Sequence, residues 1–149
     1  MITLKSSHEI QLMRQAGRIT AAARALAGAM VAPGVSTREI DKAVYRFITS
    51  QGAVPSFLHY NGYPASVCIS VNDEVIHGIP GHRVLREGDI VSVDVGAYKD
   101  GFRGDRPATY PRRPASAHAT PLLEVTRPRP SAPLPHPRAL HCPPHPSGA

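Results

Sequence analysis

Residues Ile90 to Asp105, IVSVDVGAYKDGFRGD, decide the fold. Val91, Val93 and Val95 alternate with Ser92, Asp94 and Gly96, the two-residue period of a strand whose faces meet different surroundings. The valine face is the one that seeks a core. Asp100-Gly101 is a hairpin signal, because a type I′ turn needs positive φ at both central positions and Asp-Gly supplies it at low cost. A return strand therefore starts at Phe102. With this loop, Tyr98 faces Arg103 and Gly96 faces Asp105, so Asp94 and Asp105 share a face one diagonal step apart, with Cα atoms roughly 7–8 Å from each other. Gly96, lacking a side chain, is expected to leave the space between them open. Two like charges so placed raise each other's pKa unless a cation lies between them. Hard oxygen donors suit divalent cations such as manganese, iron, cobalt or zinc. The same residues equally suit an edge-strand charge and a turn carboxylate, since a slip of one in register would part them.

Upstream, Ser6-Ser7-His8-Glu9 is a capping box that opens a helix with apolar positions Leu12, Ala16, Ile19, Ala23, Leu26 and Met30. Pro33-Gly34 is expected to end it. Ser36 to Glu39 repeats the start signal, and Ile40, Val44, Phe47 and Ile48 form the apolar stripe of a second helix, closed by Gly52. From Ala53 the texture changes to strands and loops. Tyr60-Asn61-Gly62-Tyr63-Pro64 is a turn cluster, Ser66 to Val71 alternates like a strand, and Val75-Ile76 lead into His77 and the rigid Gly78-Ile79-Pro80-Gly81. Leu85 to Asp89 turns the chain back toward the central hairpin. Two helices followed by a meander read as α+β with an antiparallel sheet. A lone histidine beside Gly and Pro is more often structural than functional, and Tyr60 and Tyr63 are more often loop packing than a pocket wall.

The remainder has a different composition. Of sixteen prolines, twelve lie from Pro107 onward, where Glu124 is the one acidic residue and Gly148 the one glycine. The net charge of +6 divides the same way: residues 1–105 are nearly neutral, and the excess belongs to the tail. A tail without lysine, and with no aromatic residue beyond Tyr110, reads as solvated disorder rather than a nucleic-acid groove, so no specific nucleic acid is expected. The expected division is 1–106 as the folded unit and 107–149 as a disordered tail, with the composition a GC-rich gene gives when read out of frame. Cys68 and Cys142 form no disulfide framework. No signal-peptide core or membrane-length apolar run is present, so a cytoplasmic setting without membrane contact is expected.

The runs NGYPASVCISVNDEVIHGIP and GDIVSVDVGAYKDGFRGD, with APGVSTREID and AVPSFLHYNGYP before them, resemble the N-terminal half of the bacterial type I methionine aminopeptidases over residues 1 to about 105. That resemblance implies half of a pita-bread metallopeptidase fold, whose two similar halves hold the metals between them. By residue, it implies that Asp94 and Asp105 are metal-binding carboxylates and that His77 contacts the substrate beside the scissile bond. It further implies that Phe57, Tyr60, Tyr63 and Cys68 hold the methionine side chain. The implied chemistry is removal of the N-terminal methionine from nascent peptides, by two divalent metal ions (cobalt, manganese, iron or zinc) that acidify a water. The implied partners are peptide N-termini and the ribosome, and the intact family enzyme is expected to be a monomer. The second half, with a metal-binding histidine and two glutamates, has no counterpart in the tail, so the chain as given is expected to be inactive. A non-catalytic module that binds peptide N-termini or a ribosomal partner is the competing reading.

Overall fold

The computed structural model describes residues 4–111; residues 1–3 and 112–149 lie outside it, and with them Cys142 and most of the expected tail. The fold is α+β. Helix α1 (Ser7–Met30) and helix α2 (Thr37–Ser50) precede strands β1 (Val54–Pro55), β2 (Val67–Val71), β3 (Ile90–Lys99) and β4 (Phe102–Pro111). Both helices start in complete capping boxes: Ser6 and Ser36 each accept from the backbone N–H three residues on, while Glu9 and Glu39 reach back to the capping N–H. Those contacts hold both glutamates below the usual carboxylate range. No helix of the described residues is long and apolar enough to cross a membrane.

Strand β3 is the centre of the antiparallel sheet. β4 pairs along one side of it, while β2 and the short β1 share the other. The β3–β4 register is the expected one, with Tyr98 opposite Arg103 and Gly96 opposite Asp105. Asp100 and Gly101 form the turn at φ 49° and 88°. Val91, Val93, Val95 and Ala97 are fully buried, and they pack with Ala23 and Ala27 of α1, Val31 just after it, and Ile40, Val44 and Ile48 of α2. Both helices therefore lie on the valine face.

Helix α1 differs from its expected stripe. Its fully buried positions are Ala16, Thr20, Ala23 and Ala27, while Leu12, Ile19, Leu26 and Met30 are only half-buried. A small-residue ridge lets the helix lie close against the hairpin, and Gly104 shows how close. A Cβ there would fall 2.6 Å from Thr20 Oγ1 and 2.7 Å from the Ala16 carbonyl oxygen. Farther along, the Tyr110 ring fills the space above Gly28, and its hydroxyl donates to the Arg24 carbonyl at 3.1 Å.

Two further expectations need correction. Composition put the end of the folded unit at residue 106, yet β4 runs five residues past it to Pro111. The prolines fit because β4 has no second partner among the described residues. Counting from the turn, the alternation of an antiparallel pair places Pro107 and Pro111 where a backbone N–H would point away from β3. Strand β2 is buried on both faces rather than alternating, because loops cover its second side. Val75 and Ile76 belong to no strand and are 88% and 68% exposed.

Candidate functional site

Opposite the helices, the second face of the sheet presents Ser92, Asp94, Gly96 and Tyr98 from β3 and Arg103, Asp105, Pro107 and Thr109 from β4. Cys68 of β2 stands directly across from Asp94, and Ser70 across from Ser92. Cys68, Asp94 and Pro107 thus form one row across three strands, with Asp105 on the diagonal. Cys68 and Asp94 of this row, with Asp105, floor a cleft of about 560 Å³ that Phe57, Tyr63, His77 and Ile79 also line, with Tyr60 exposed at its lip. All seven residues singled out in the sequence meet here.

Gly96 does not leave open space between the carboxylates, as had been expected. A Cβ there would lie 2.9 Å from Ser56 Cβ and 3.0 Å from Phe57 Cε1. Its missing side chain is instead the seat of the Phe57 ring, carried by the segment after β1, whose Ser56 N–H donates to the Gly96 carbonyl at 2.9 Å. The glycine thus draws an aromatic wall up to the pair. Strand β1, only two residues long and with a proline in it, has no period for a sequence reading to detect.

Asp94 bears the strain of this arrangement. Its Oδ1 is buried without a hydrogen-bond partner among the described residues. Burial first, then the negative charge of Asp105, push its carboxyl up to about 6. Burial and the adjoining Cys68 and carboxylates raise the Tyr63 phenol, and burial raises the Cys68 thiol. The Cys68 side chain is therefore a neutral, soft, apolar-leaning group at neutral pH. His77 stands in the loop after β2 with φ 56°.

An orphaned buried carboxylate oxygen beside a second carboxylate suits a hard divalent cation in charge and donor type. Among the described residues, however, no group of three or more His, Cys, Asp or Glu side chains converges on one point. The pair is a fitting but partial ligand set.

Asp41 of α2 had escaped notice in the sequence. Its Oδ1 accepts from the backbone N–H of Ser66 at 2.8 Å and of Val67 at 3.2 Å, fastening the start of β2 to the helix. Burial raises its carboxyl while those two bonds pull it back. A lone aspartate in a helical pattern reads as solvated surface, and only the approach of β2 gives it partners.

The model of metallopeptidase family M24 matches residues 11–127. Methionine aminopeptidase 1 of Bacillus subtilis (strain 168) is 49% identical over 126 residues, which cover 85% of this chain and 51% of that protein. The crystal structure of methionine aminopeptidase from Rickettsia prowazekii superposes with a TM-score of 0.81 at 36% identity, covering 85% of this chain and 51% of that one. That from Thermotoga maritima gives the same score and coverage at 38% identity. The chain spans about half the length of the curated relatives it matches, and its two helices and sheet correspond to half of their fold.

Proposed function

We propose, since the chain belongs to metallopeptidase family M24, that its cleft is the peptide-binding part of a metal-dependent centre that removes N-terminal methionine. The observation that carries this reading is the shared face of Asp94 and Asp105, with a buried, unpartnered Asp94 oxygen at the floor of the cleft. Asp94 and Asp105 would hold the divalent cations, two in number and drawn from cobalt, manganese, iron or zinc. When bound, such cations polarise a peptide carbonyl and acidify water. The chain's own residues do the rest. Phe57, Tyr60, Tyr63 and Cys68 offer apolar and polarisable surface to a methionine thioether. The neutral Cys68 thiol adds no charge to that pocket. His77, which lines the cleft, would donate to a peptide carbonyl or hold the proton of a leaving amine. The ribosome, as the source of nascent N-termini, is the partner this substrate class suggests, and the cytoplasm is the matching compartment.

A second reading is favoured by the incomplete ligand set: the described residues bind a peptide N-terminus without hydrolysing it. Two experiments separate the readings. In the first, residues 1–111 replace the matching half of the Bacillus subtilis relative. Methionine release from a Met-Ala peptide is expected, abolished by Asp94→Asn or Asp105→Asn and lowered roughly 10²–10⁴-fold in kcat/KM by His77→Ala. Retained activity in both aspartate variants would sink the metal assignment, and a change of tenfold or less at His77 would make it structural. In the second, the 149-residue chain itself is given Mn²⁺ and a methionyl peptide. Binding without turnover is expected, and turnover at rates typical of enzymes, about 1–10³ s⁻¹, would show that the chain needs no further ligands.

A further inference from the structure

The loop that carries His77 is held by little apolar packing. Val75 and Ile76 stand largely in solvent, and Ile79 is 61% exposed. What holds the loop is a set of hydrogen bonds converging on Gly78. Its N–H donates to Ser70 Oγ at 3.1 Å, and its carbonyl accepts from the Ile69 N–H at 2.9 Å. The Tyr63 hydroxyl lies 3.0 Å from that same carbonyl and 3.0 Å from the carbonyl of Val67, with one proton to share between them. The peptide is drawn so close to β2 that a Cβ on residue 78 would collide with the Ile69 carbonyl. His77, one residue before, holds a left-handed backbone that non-glycine residues keep only where the surroundings over-determine it.

Ser70 is buried and sits on the same sheet face as Asp94. Its hydroxyl therefore reaches the loop from the sheet face beside the cleft, while the Tyr63 hydroxyl reaches it from the cleft wall. We infer that Ser70 is a positioning residue for His77: its hydroxyl on the Gly78 N–H and the Tyr63 hydroxyl on the Gly78 carbonyl clamp the two peptides that flank Gly78 and aim the imidazole over the carboxylate pair. This rests on the proposed reading of His77 as a substrate-contacting group. The clamp explains how a side chain on an otherwise bare loop keeps one direction. It also gives Tyr63 a second role beside that of pocket wall.

The test uses the isotopically labelled 149-residue chain and its Ser70→Ala, Ser70→Thr and Tyr63→Phe variants, read by nuclear magnetic resonance. In Ser70→Ala the Gly78 amide is expected to exchange about tenfold faster, the cost of one lost hydrogen bond, while the amides of β3 and β4 keep their protection. The His77 ring signals should move toward those of a freely rotating histidine. Ser70→Thr, which keeps the hydroxyl, should restore both, and Tyr63→Phe should reproduce the loss without touching Ser70. Unchanged Gly78 exchange and unchanged His77 ring signals in both Ser70→Ala and Tyr63→Phe would overturn the clamp. Added Mn²⁺ tests the other reading separately. Failure to broaden the Asp94 and Asp105 signals would overturn the metal assignment, whereas equal broadening of the His77 ring in wild type and Ser70→Ala would count against the clamp.

Discussion

The two faces of the β3–β4 hairpin are built from the same two strands and have opposite fates. One face packs Val91, Val93, Val95, Ala97 and Gly104 out of water beneath α1 and α2, with Tyr110 partly buried, while Arg106, opposite Val95, stays exposed. The other, Ser92, Asp94, Gly96 and Tyr98 with Arg103, Asp105 and Thr109, faces loops and a cleft and keeps its polar groups. Beneath the helices, around Val93 and Val95, stability comes from packing without charge that leaves, at Gly104, no room for an extra carbon. On the second, polar side chains settle among themselves, as Ser92 and Thr109 do at 2.9 Å, or find no partner among the described residues, as Asp94 Oδ1 does. An unsatisfied group on an otherwise hydrogen-bonded sheet is where binding chemistry is to be sought.

Substitutions that exchange the character of the faces give the sharpest tests. The largest effect is expected from Val93→Asp, which buries an unpaired carboxylate under the helices. A cost on the order of 3–5 kcal/mol would remove most of the stability of a small domain, so urea titration should show no cooperative transition. A normal transition would break the assignment of that face. Next comes Gly104→Val, whose Cβ would press on Thr20 and the Ala16 carbonyl. Overpacking of this kind costs about 1–3 kcal/mol and should lower the urea midpoint without changing its slope.

Asp94→Asn should act in the opposite direction. In the metal-free folded chain the carboxyl titrates near 6, against an ordinary value of 3.8. Below 3.8 it is neutral whether the chain is folded or not, and above 6 it is charged in both states. Between these limits the folded state binds more protons, so stability falls as pH rises from about 4 to 6 and stays low above that. The asparagine variant should lose this fall and gain about 1 kcal/mol at pH 7, after discounting for solvent screening of a half-exposed group. Thermal melts of both proteins across that range in the presence of a chelator would check it; equal slopes would mean that Asp94 is not strained. The smallest effect is expected from Arg103→Ala, which removes a guanidinium 5.3 Å from the Tyr98 ring centroid. An exposed contact of this type is worth about 0.5–1 kcal/mol, and a midpoint shift larger than that of Gly104→Val would invert the order argued here.

Much of this was legible beforehand because it is local. Ser6 with Glu9 and Ser36 with Glu39 mark their helices through contacts three residues apart. The hairpin register follows from the φ angles that Asp100-Gly101 accepts, and with it the common face of Asp94 and Asp105. Where reading by pattern went astray, the deciding contact came from far along the chain. Ala27 and Thr20 displaced the larger residues of the α1 stripe because Gly104 lets the helix approach. Pro107 continued a strand that its composition argued against because β4 pairs on one side only, with its ring where no ladder bond is required.

By itself the amino-acid sequence determined the α+β class, both helix starts and the turn at Asp100-Gly101, because short-range sterics and side-chain period set each of these; the common face of Asp94 and Asp105 it offered as one of two registers, and the sheet fixed it. Its resemblance to known aminopeptidases singled out His77, Phe57, Tyr60, Tyr63 and Cys68. Only the tertiary structure decided that these residues meet in one cleft with the carboxylates. It alone showed that Gly96 seats Phe57, that Asp41 fastens β2 to α2, and that the Ser70 and Tyr63 hydroxyls both bond Gly78, the residue after His77. Each of these joins segments that no periodicity connects, and a hydrogen bond or close approach between them exists only once the sheet has brought both ends within 3 Å or so of each other.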